Sequence, residues 1–570
     1  MATTTEHPSR SKQATDIATR APYGMPGPHP FVGLRSSDIL ATAQQIGAQV
    51  LRQPALLVEQ EAALARELIS VLCGSSPCTP AQGDKRFADP AWQDNSWYRI
   101  TMQGYFVWRN AFTRFVDRSA LDAKSKERAQ FVLSLISDAL SPTNTLLGNP
   151  AALKKLVDSG GASLVGGVKN LVMDMLENQG MPAQVDKTAF ELGKNLASSP
   201  GSVVFRNEVL ELVQYTPATA QVYARPQLIV PPQINKFYIF DLSEGRSIVE
   251  YLVKSEFQVF AVSWRNPTAA QRQWDLNTYV AALAEAIAAV RDITGSDDVN
   301  LHGACSGAMT ISALLGHLAN CGEKTVHAAT LMVAVLDNSA ESQLGAFVTP
   351  EAIVAAKQAS TARGVLAGEA MGRVFAWMRP NDLVWNYWVN NYLLGKTPPA
   401  FDVLYWNNDT TRLPAGLHGQ LLDIFTDNLF SKPRALAVLG MPIDLSEVGC
   451  DKYVVAGITD HITPWKGVYD TARMFGGSTR FVLSSSGHIQ SLINPPGNPK
   501  AKYFVNPQQE LPTNADAWLA VAQGKSDSWW SDWRDWLTAR SGEKRTAPAA
   551  LGNERHPAGA KAPGTYVVQA

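Results

Sequence analysis

The chain has 570 residues, of which 45% are hydrophobic and 18% are charged, so it is long enough to bury a large core and to form more than one domain. Its formal net charge is −1 and its pI is near 6.8, which excludes the strongly basic surface expected of a nucleic-acid-binding protein. The five cysteines form an odd, scattered set that does not resemble a disulfide framework, which predicts a cytoplasmic protein with free thiols.

The amino-terminal region is predicted to be disordered at first and then helical. Residues 1 to about 30 are polar and then rich in proline and glycine, which predicts a disordered segment with no signal peptide. Apolar residues then recur at helical spacing, which predicts a helical domain over residues 31–205, with helices at 37–71, 126–140, 150–158 and 163–177. No apolar run in the chain is long enough to span a bilayer.

One glycine-rich run in this region superficially evokes a phosphate-binding loop. It extends from Gly161 to Lys169, but Gly167 stands where such a loop requires lysine. We therefore interpret these glycines as residues of a helix boundary.

After residue 225 the pattern changes to alternating strands and helices. Buried strands are predicted at 227–230 and 257–262, a helix at 276–293, and further strands before Gly303 and at 328–335. This alternation predicts a parallel, doubly wound sheet. A functional site is then expected at the carboxyl edge of that sheet.

A candidate nucleophile lies between a buried strand and a helix. Residues Gly303 to Gly307 read Gly-Ala-Cys-Ser-Gly, the pattern of a nucleophile elbow with Cys305 where serine is usual. Small residues at such a turn also arise from packing alone, so the pattern by itself leaves both interpretations open. As an elbow, it predicts an oxyanion hole built from the N–H of Ser306 and one N–H of the loop 231–235, for which we choose Ile234.

An acid and a histidine follow the candidate nucleophile in chain order. Asp460 comes after the apolar run 453–457, and His488 comes after the apolar run 481–483. Nucleophile, acid and histidine in this order are typical of an α/β-hydrolase, which predicts that fold for residues 206–545. His461 is the alternative base, but neighbours on an extended segment point to opposite sides, which favours His488 as the partner of Asp460.

An insertion rich in aromatic residues separates the nucleophile from the acid. It spans about 338–440 and is predicted to form a lid that lines an apolar channel over the site. Alternatively its aromatic side chains form a core of their own, and both interpretations can hold together. Near the carboxyl end, Trp529, Trp533 and Trp536 fall on one helical face that is expected to pack against the domain. The tail 546–570 is predicted to be an extended strap or a loose end.

Many short segments together resemble those of the polyhydroxyalkanoate synthases. They cover nearly the whole chain: the cysteine elbow, Arg86–Trp92, Leu140–Asn144, Val230–Tyr238, Asn386–Trp388, Trp406–Asp409, Asp460–Trp465, Gly487–Ile489, Asn494–Gly497 and Pro563–Tyr566. The resemblance implies that Cys305 carries the acyl group and that Asp460 and His488 complete a catalytic triad. It also implies an (R)-3-hydroxyacyl-coenzyme A substrate, release of coenzyme A and growth of a polyester, with no other cofactor. No metal is expected, because the histidines are isolated and the cysteines are not paired at ligand spacing.

Further expectations follow from the same resemblance. It implies a soluble homodimer that comes to coat the surface of polymer inclusions in the cytoplasm, with granule-associated proteins as further partners. The elbow and Gln233 look like those of the single-subunit class II enzymes, which favour medium-length side chains. Ala308 departs from that class, which usually has glycine there, and its methyl group is expected either to tighten packing or to crowd the oxyanion hole.

Two other functions remain open on the sequence alone. A thioesterase or depolymerase on the same scaffold would resolve the acyl-enzyme with water, and a granule-surface protein would keep the fold without catalysis. The cysteine and the aromatic lid disfavour the first, and the presence of all three candidate catalytic residues disfavours the second.

Overall fold

Helices make up most of the amino-terminal region of the computed structural model, which describes residues 31–33, 36–81, 83–338 and 347–569. Segment 1–30, for which disorder is predicted, lies outside these residues. The helices before the first strand are α1 (Ser36–Arg52), α2 (Pro54–Leu72), α3 (Ala91–Asp94), α4 (Ser96–Arg118), α5 (Ala123–Ala139), α6 (Pro150–Asp158) and α7 (Ala162–Glu177). The predicted helical stretches are confirmed, except that 37–71 is divided into α1 and α2 at Gln53, where Pro54 begins a new helix. Helices α3 and α4 are additional and are not singled out by the sequence analysis.

A ten-stranded sheet follows, and it is mixed rather than purely parallel. Its order is β1-β2-β5-β4-β6-β7-β12-β13-β14-β15. These strands are β1 (Gly201–Arg206), β2 (Leu210–Tyr215), β4 (Gln227–Val230), β5 (Val259–Trp264), β6 (Val299–Ala304), β7 (Val326–Met332), β12 (Asp451–Gly457), β13 (Thr479–Ser484), β14 (Tyr503–Val505) and β15 (Gln523–Lys525). The first strand thus begins at Gly201, inside the predicted helical domain.

The central six strands, from β5 to β13, are parallel as predicted. Antiparallel strands lie at both edges, where the prediction of a parallel sheet is wrong. At one edge the reason is the length of the connection. Only three residues separate β1 from β2, and a parallel pair needs a crossover of a dozen residues or more.

The sheet is buried on both faces. Along β4, Leu228 and Val230 belong to one hydrophobic cluster and Ile229 to the other, as the two-residue period of a strand requires. The first cluster includes α9 (Leu276–Thr294), α10 (Ser306–Cys321), α15 (Trp465–Arg473) and α17 (Ala515–Val521), and the second includes α8 (Ile248–Lys254) and α18 (Trp529–Thr538). The predicted packing of the tryptophans of α18 is confirmed, since Trp529 and Trp533 are fully buried.

The insertion lies between β7 and β12 and is mostly helical. Its helices are α11 (Pro350–Arg363), α12 (Gly368–Met378), α13 (Asp402–Asn408) and α14 (Ala415–Asp427), with π-helical turns at Asn381–Trp385 and Trp388–Leu393. Two short antiparallel pairs complete it: β8 (Val365–Leu366) with β9 (Leu413–Pro414), and β10 (Ala437–Val438) with β11 (Met441–Pro442). Beyond the insertion, the short helix α16 (His488–Leu492) follows β13.

The tail returns along the first strands as an ordered strap. Its strand β16 (Lys544–Thr546) pairs with β3 (Gln221–Tyr223). Further on, the Gly559 N–H donates to the Val203 carbonyl and the Ala562 N–H to the Gly201 carbonyl. The strap interpretation is therefore confirmed. Among the described residues, we find no helix with the length and apolar character that crossing a bilayer demands.

Candidate active site

Cys305 lies on a strained turn at the carboxyl end of β6. It precedes the first residue of α10 with φ +50° and ψ −124°, a conformation that side chains with a Cβ rarely adopt. Its N–H donates to the Met332 carbonyl at 3.0 Å, and its side chain is half-buried. The strain, the half-buried thiol and the helix that follows are the features of a nucleophile elbow.

The glycine after the elbow cysteine is required by packing. A Cβ on Gly307 would stand 2.3 Å from the Val230 carbonyl oxygen and 2.5 Å from that of Pro231, closer than real Cβ contacts allow. Gly307 therefore lets α10 approach the loop 231–235 directly. By contrast, the methyl group of Ala308 is fully buried in the hydrophobic core, which supports the tighter-packing alternative for that residue.

The structure brings Asp460 and His488 together. His488 Nδ1 lies 2.7 Å from Asp460 Oδ2, and both side chains are buried. The other carboxylate oxygen accepts the backbone N–H groups of Ile462 at 2.8 Å and Thr463 at 3.0 Å. Asp460 is thus fixed by its own turn and orients the imidazole, leaving His488 Nε2 free to face another group.

The charges of this pair support each other. Burial lowers the pKa of His488, but the attraction of Asp460 and hydrogen bonds with Asp460 and the Cys305 thiol overcome it and raise the pKa to about 10. Burial likewise raises the pKa of Asp460, but the attraction of His488 and the hydrogen bonds from His488 and Thr463 hold it below its usual range. The site therefore favours an imidazolium between a carboxylate and the cysteine sulfur.

His461, the alternative base, is in a different situation. Burial lowers its pKa to about 4, against the attraction of Asp460, so its imidazole is neutral near pH 7. The hydrogen bonds of the Asp460 carboxylate go to His488, Ile462 and Thr463. This arrangement supports the choice of His488, whose catalytic role stays a prediction.

Two backbone N–H groups are available near the elbow. Within the described part of the chain, neither the Ser306 N–H nor the Ile234 N–H donates a hydrogen bond. The neighbouring Gln233 N–H is already occupied, because it donates to Ser306 Oγ at 3.0 Å. In the rest of the loop, the N–H groups of Ile234 and Asn235 both lack a hydrogen-bond acceptor among the described residues, so the choice of Ile234 for the oxyanion hole stays a prediction.

Two supporting residues were missed by the sequence reasoning. Thr463 Oγ1 donates to Asp460 Oδ2 at 2.7 Å and lies 3.1 Å from His488 Nδ1. Gln233 Nε2 donates to Thr310 Oγ1 at 2.9 Å, which ties the oxyanion loop to α10. A signal for Thr463 exists in its position three residues after Asp460, because aspartate often closes such a turn with its own side chain. Gln233 has no such local signal.

The insertion packs against the oxyanion loop, which we define as residues 231–236. Thr411 Oγ1 donates to the Gln233 carbonyl at 2.6 Å, and Trp406 Nε1 donates to the Lys236 carbonyl at 2.7 Å. Many of the insertion's aromatic rings pack on one another edge to face, in the series Trp377, Trp385, Trp388 and Tyr392. These contacts support the interpretation that the rings pack within the insertion, although Trp388 and Tyr392 also bind the amino-terminal region. That interpretation and the apolar channel both stay predictions.

A recess elsewhere on the molecule does not belong to this site. It has a volume of about 510 Å³ and is lined by residues that include Asp298, His327 and Cys450. These residues lie at or near the starts of β6, β7 and β12, whereas Cys305, Asp460 and His488 follow the ends of their strands. In a parallel sheet these are opposite edges.

Known proteins resemble this chain over its full length. Residues 83–252 match the family model described as "Poly-beta-hydroxybutyrate polymerase (PhaC) N-terminus", and residues 228–495 match that of the alpha/beta hydrolase fold. The second match confirms the predicted α/β-hydrolase fold.

Three relatives of this chain are all poly(3-hydroxyalkanoate) polymerases. The chain is 50% identical over 557 residues to poly(3-hydroxyalkanoate) polymerase 1 of Ectopseudomonas oleovorans, covering 98% of this chain and 99% of the relative. It is 50% identical over 560 residues to polymerase 2 of that organism, covering 98% and 100%. It is 40% identical over 502 residues to the polymerase subunit PhaC of Cupriavidus necator, covering 87% and 84%. The chain therefore belongs to the poly(3-hydroxyalkanoate) polymerases, the family of enzymes that synthesise these polyesters.

Proposed function

We propose that the enzyme converts (R)-3-hydroxyacyl-coenzyme A thioesters into polyester and releases coenzyme A, with Cys305 as nucleophile. The observation that carries this proposal is the convergence at one sheet edge of the strained Cys305 turn and the 2.7 Å pair of His488 and Asp460. Acyl transfer through a thiol needs the cysteine and a base beside it, because the thiolate is the reactive form and the base must hold its proton.

In the first step the sulfur attacks the thioester carbon. His488 Nε2 holds the proton of Cys305 so that the attacking sulfur is a thiolate, and Asp460 stabilises the imidazolium. The carbonyl π electrons move onto oxygen, where the N–H groups of Ser306 and Ile234 stabilise the negative charge. Collapse of this intermediate breaks the bond to the coenzyme A sulfur, which leaves with the proton from His488. The acyl group is then bound to Cys305 as a thioester.

In the second step a 3-hydroxyl group of one unit attacks the thioester of another. The C–O ester bond forms, the C–S bond breaks, and the hydroxyl proton is taken up by the site. The base is His488 alone or His488 together with Asp460. Cysteine suits such repeated transfer, because moving an acyl group from one sulfur to another changes the bond energy little. An acyl-serine would lie further downhill and favour loss to water.

The test compares the wild-type enzyme with Cys305→Ala after addition of 3-hydroxyacyl-coenzyme A. We expect the wild type to release coenzyme A and turn the solution turbid with polymer, and the variant to do neither. Cys321→Ala is the matched control, since that thiol is exposed and belongs to no part of the site. Polymer from Cys305→Ala would refute the proposed nucleophile, and free hydroxy acid without polymer from the wild type would identify a thioesterase.

We also propose that the enzyme works as a homodimer at the surface of cytoplasmic polymer inclusions. Support comes from α7, on which seven large apolar side chains are exposed: Leu164, Val165, Val168, Val172, Met173, Met175 and Leu176. A continuous apolar face of this kind is typical of an interaction surface. Exchange of Val165 and Val172 for serine is expected to reduce the fraction of enzyme that sediments with polymer. Unchanged sedimentation would remove this support.

The preferred monomer is proposed to carry a medium-length side chain, as expected of the single-subunit class II enzymes. The test compares rates of coenzyme A release for thioesters of about 4 to 12 carbons. This series spans about 8 methylene groups, and each of them adds apolar area that the site can bury. A preference for the shortest thioester would contradict it.

A further inference from the structure

Helix α7 buries only small and polar residues, whereas seven of its large apolar side chains are exposed, the reverse of an ordinary surface helix. The buried face consists of Ser163, Gly167 and Asp174, with Gly166 and Asn170 half-buried beside them. These five residues recur at the spacing of one helical face. We call them the glycine face of α7.

The glycine face packs against the second π-helical turn of the insertion, Trp388–Leu393. A Cβ on Gly167 would lie 1.9 Å from the carbonyl oxygen of Tyr392, so the two backbones are in direct contact there. Gly395 makes the reciprocal approach, since a Cβ on it would lie 2.3 Å from the Ser163 carbonyl oxygen. These glycines are therefore interface residues inside α7 and the insertion, whereas the interpretation as helix-boundary glycines fits only Gly161, which caps α7 with φ +91°.

Hydrogen bonds fix this contact on both sides of Gly167. Asn170 Nδ2 donates to the carbonyls of Asn391 and Lys396, each at 3.0 Å. The hydroxyl of Tyr392 donates to Asp174 Oδ2 at 2.8 Å, and both groups are buried. A buried charge with a hydroxyl partner is costly to separate, because the carboxylate would lose its donor away from water.

The insertion that carries these turns also contacts the oxyanion loop beside the elbow. The Thr411 hydroxyl donates to the Gln233 carbonyl at 2.6 Å, and the Trp406 indole N–H donates to the Lys236 carbonyl at 2.7 Å. Gln184, just after α7, donates to the Leu383 carbonyl in the first π-helical turn at 2.7 Å. Helix α7 and the residues after it thus hold both π-helical turns of an insertion that packs on the oxyanion loop.

We propose that α7 acts as a clamp that positions the insertion over Cys305, with Gly167 setting the distance between the two. This proposal rests on the proposed function, because the clamp is expected to control how the acyl thioester reaches Cys305. Gly167 is in this sense a positioning residue, since it touches the insertion and not the reacting atoms. π-Helical turns are frequent at functional sites, and here they form the part of the insertion that α7 holds.

The structure offers a matched pair of substitutions. Gly167→Ala adds a methyl group 1.9 Å from a backbone oxygen, so helix and insertion must separate by about 1.5 Å to restore van der Waals contact. Gly166→Ala adds the same methyl group one position earlier, where its nearest atom is 3.4 Å away. Both substitutions raise helix propensity equally, so a difference between them reports the clamp.

The readout is the labelling of Cys305 in the full-length enzyme by a small and by a bulky thiol reagent, measured by peptide mass spectrometry. The exposed Cys73 and Cys321 serve as internal standards. We expect the ratio of bulky to small labelling at Cys305 to rise several-fold in Gly167→Ala and to stay at the wild-type value in Gly166→Ala. We also expect polymerisation kcat to fall by about 10- to 100-fold in Gly167→Ala, since displacements of this size disturb substrate placement.

A second variant keeps the test decisive if Gly167→Ala does not fold. Asn170→Ala removes two hydrogen bonds to the insertion without adding volume, and Lys169→Ala, on the exposed face, is its control. We expect the labelling ratio to rise in Asn170→Ala alone. An unchanged ratio in every folded variant overturns the clamp. This outcome is separable from failure of the proposed function, because labelling needs no turnover and polymer from Cys305→Ala would refute only the latter.

Discussion

Replacing Asp460 with asparagine removes a charge from the site with little change in side-chain shape, and it is expected to have a large effect on acylation. In Asp460→Asn the amide oxygen can still accept the N–H groups of Ile462 and Thr463, so the turn is expected to persist. The amide NH2 then faces His488 Nδ1, which must become an acceptor. The imidazole is thereby driven to the tautomer with its proton on Nε2, and it can no longer take the proton of Cys305.

The expected loss of acylation rate follows from the electrostatic interaction between Asp460 and His488. Burial lowers the pKa of His488, whereas Asp460 and Cys305 raise it from 6.5 to about 10. At ~1.36 kcal/mol per pKa unit this corresponds to about 5 kcal/mol of extra stability for the imidazolium. Asp460 is the largest of the groups that raise the pKa, so loss of its charge predicts a fall on the order of 10³-fold in the rate of acylation. Without the carboxylate, burial dominates and the pKa of His488 falls.

Acylation is measured as the first coenzyme A released in a single turnover with enzyme in excess, which separates it from chain growth. Asp241→Asn is the matched control: Asp241 is also buried and also accepts from two hydroxyls, those of Ser199 and Ser247. We expect the control to acylate at the wild-type rate. An Asp460→Asn enzyme that is folded and acylates within tenfold of the wild type would refute the role we give to the carboxylate.

Three further predictions address the elbow, the histidine and the sheet. Gly307→Ala places a methyl group against the Val230 carbonyl, so we expect a loss of about 1–3 kcal/mol in unfolding free energy and little polymerisation; a fully active, equally stable variant would contradict this packing argument. The raised pKa of His488 means that its contribution to stability is complete below pH ~6.5 and is lost as pH rises through about 10, so His488→Gln should flatten the fall of stability with pH between these values in urea titrations. Parallel curves for wild type and variant would count against it. Trp533→Phe removes a buried hydrogen bond of 2.9 Å to Thr330 Oγ1 and should cost about 1–3 kcal/mol in the same titrations; no measurable loss would show that the indole N–H is dispensable.

The site residues were accessible from the sequence because each follows a recognisable local pattern. A buried apolar strand that ends in a small or polar residue predicts a position at the carboxyl edge of the sheet, and this holds for Cys305, Asp460 and His488. Chain order then links the three into one hypothesis. The structure adds the pairing of Asp460 with His488 and removes the ambiguity with His461 at the level of geometry.

Other features lay beyond local pattern. The edge strands β1 and β2 pair antiparallel because only three residues connect them. The alternation of strands and helices along the chain does not predict this pairing. The packing role of Gly167 is not visible in the local sequence, because the residues that α7 meets there, Tyr392 and Gly395, lie more than 200 positions later. A single sequence does not reveal a contact between segments so far apart, although a glycine inside a helix is itself a sign of close packing.

The oxyanion loop shows how much of the site depends on distant segments. Gln233 donates to Ser306 Oγ at 3.0 Å in the elbow and accepts from Thr411 in the insertion at 2.6 Å, while Lys236 Nζ donates to the Gln569 carbonyl in the tail at 2.6 Å. Burial lowers the pKa of Lys236, so that carbonyl is an important partner for its ammonium group. Donors stabilise an oxyanion only if they are held in place before charge develops. The position of the Ile234 N–H is therefore set jointly by the elbow, the insertion and the tail, and weakening any of the three contacts should impair acylation even though the triad itself is untouched.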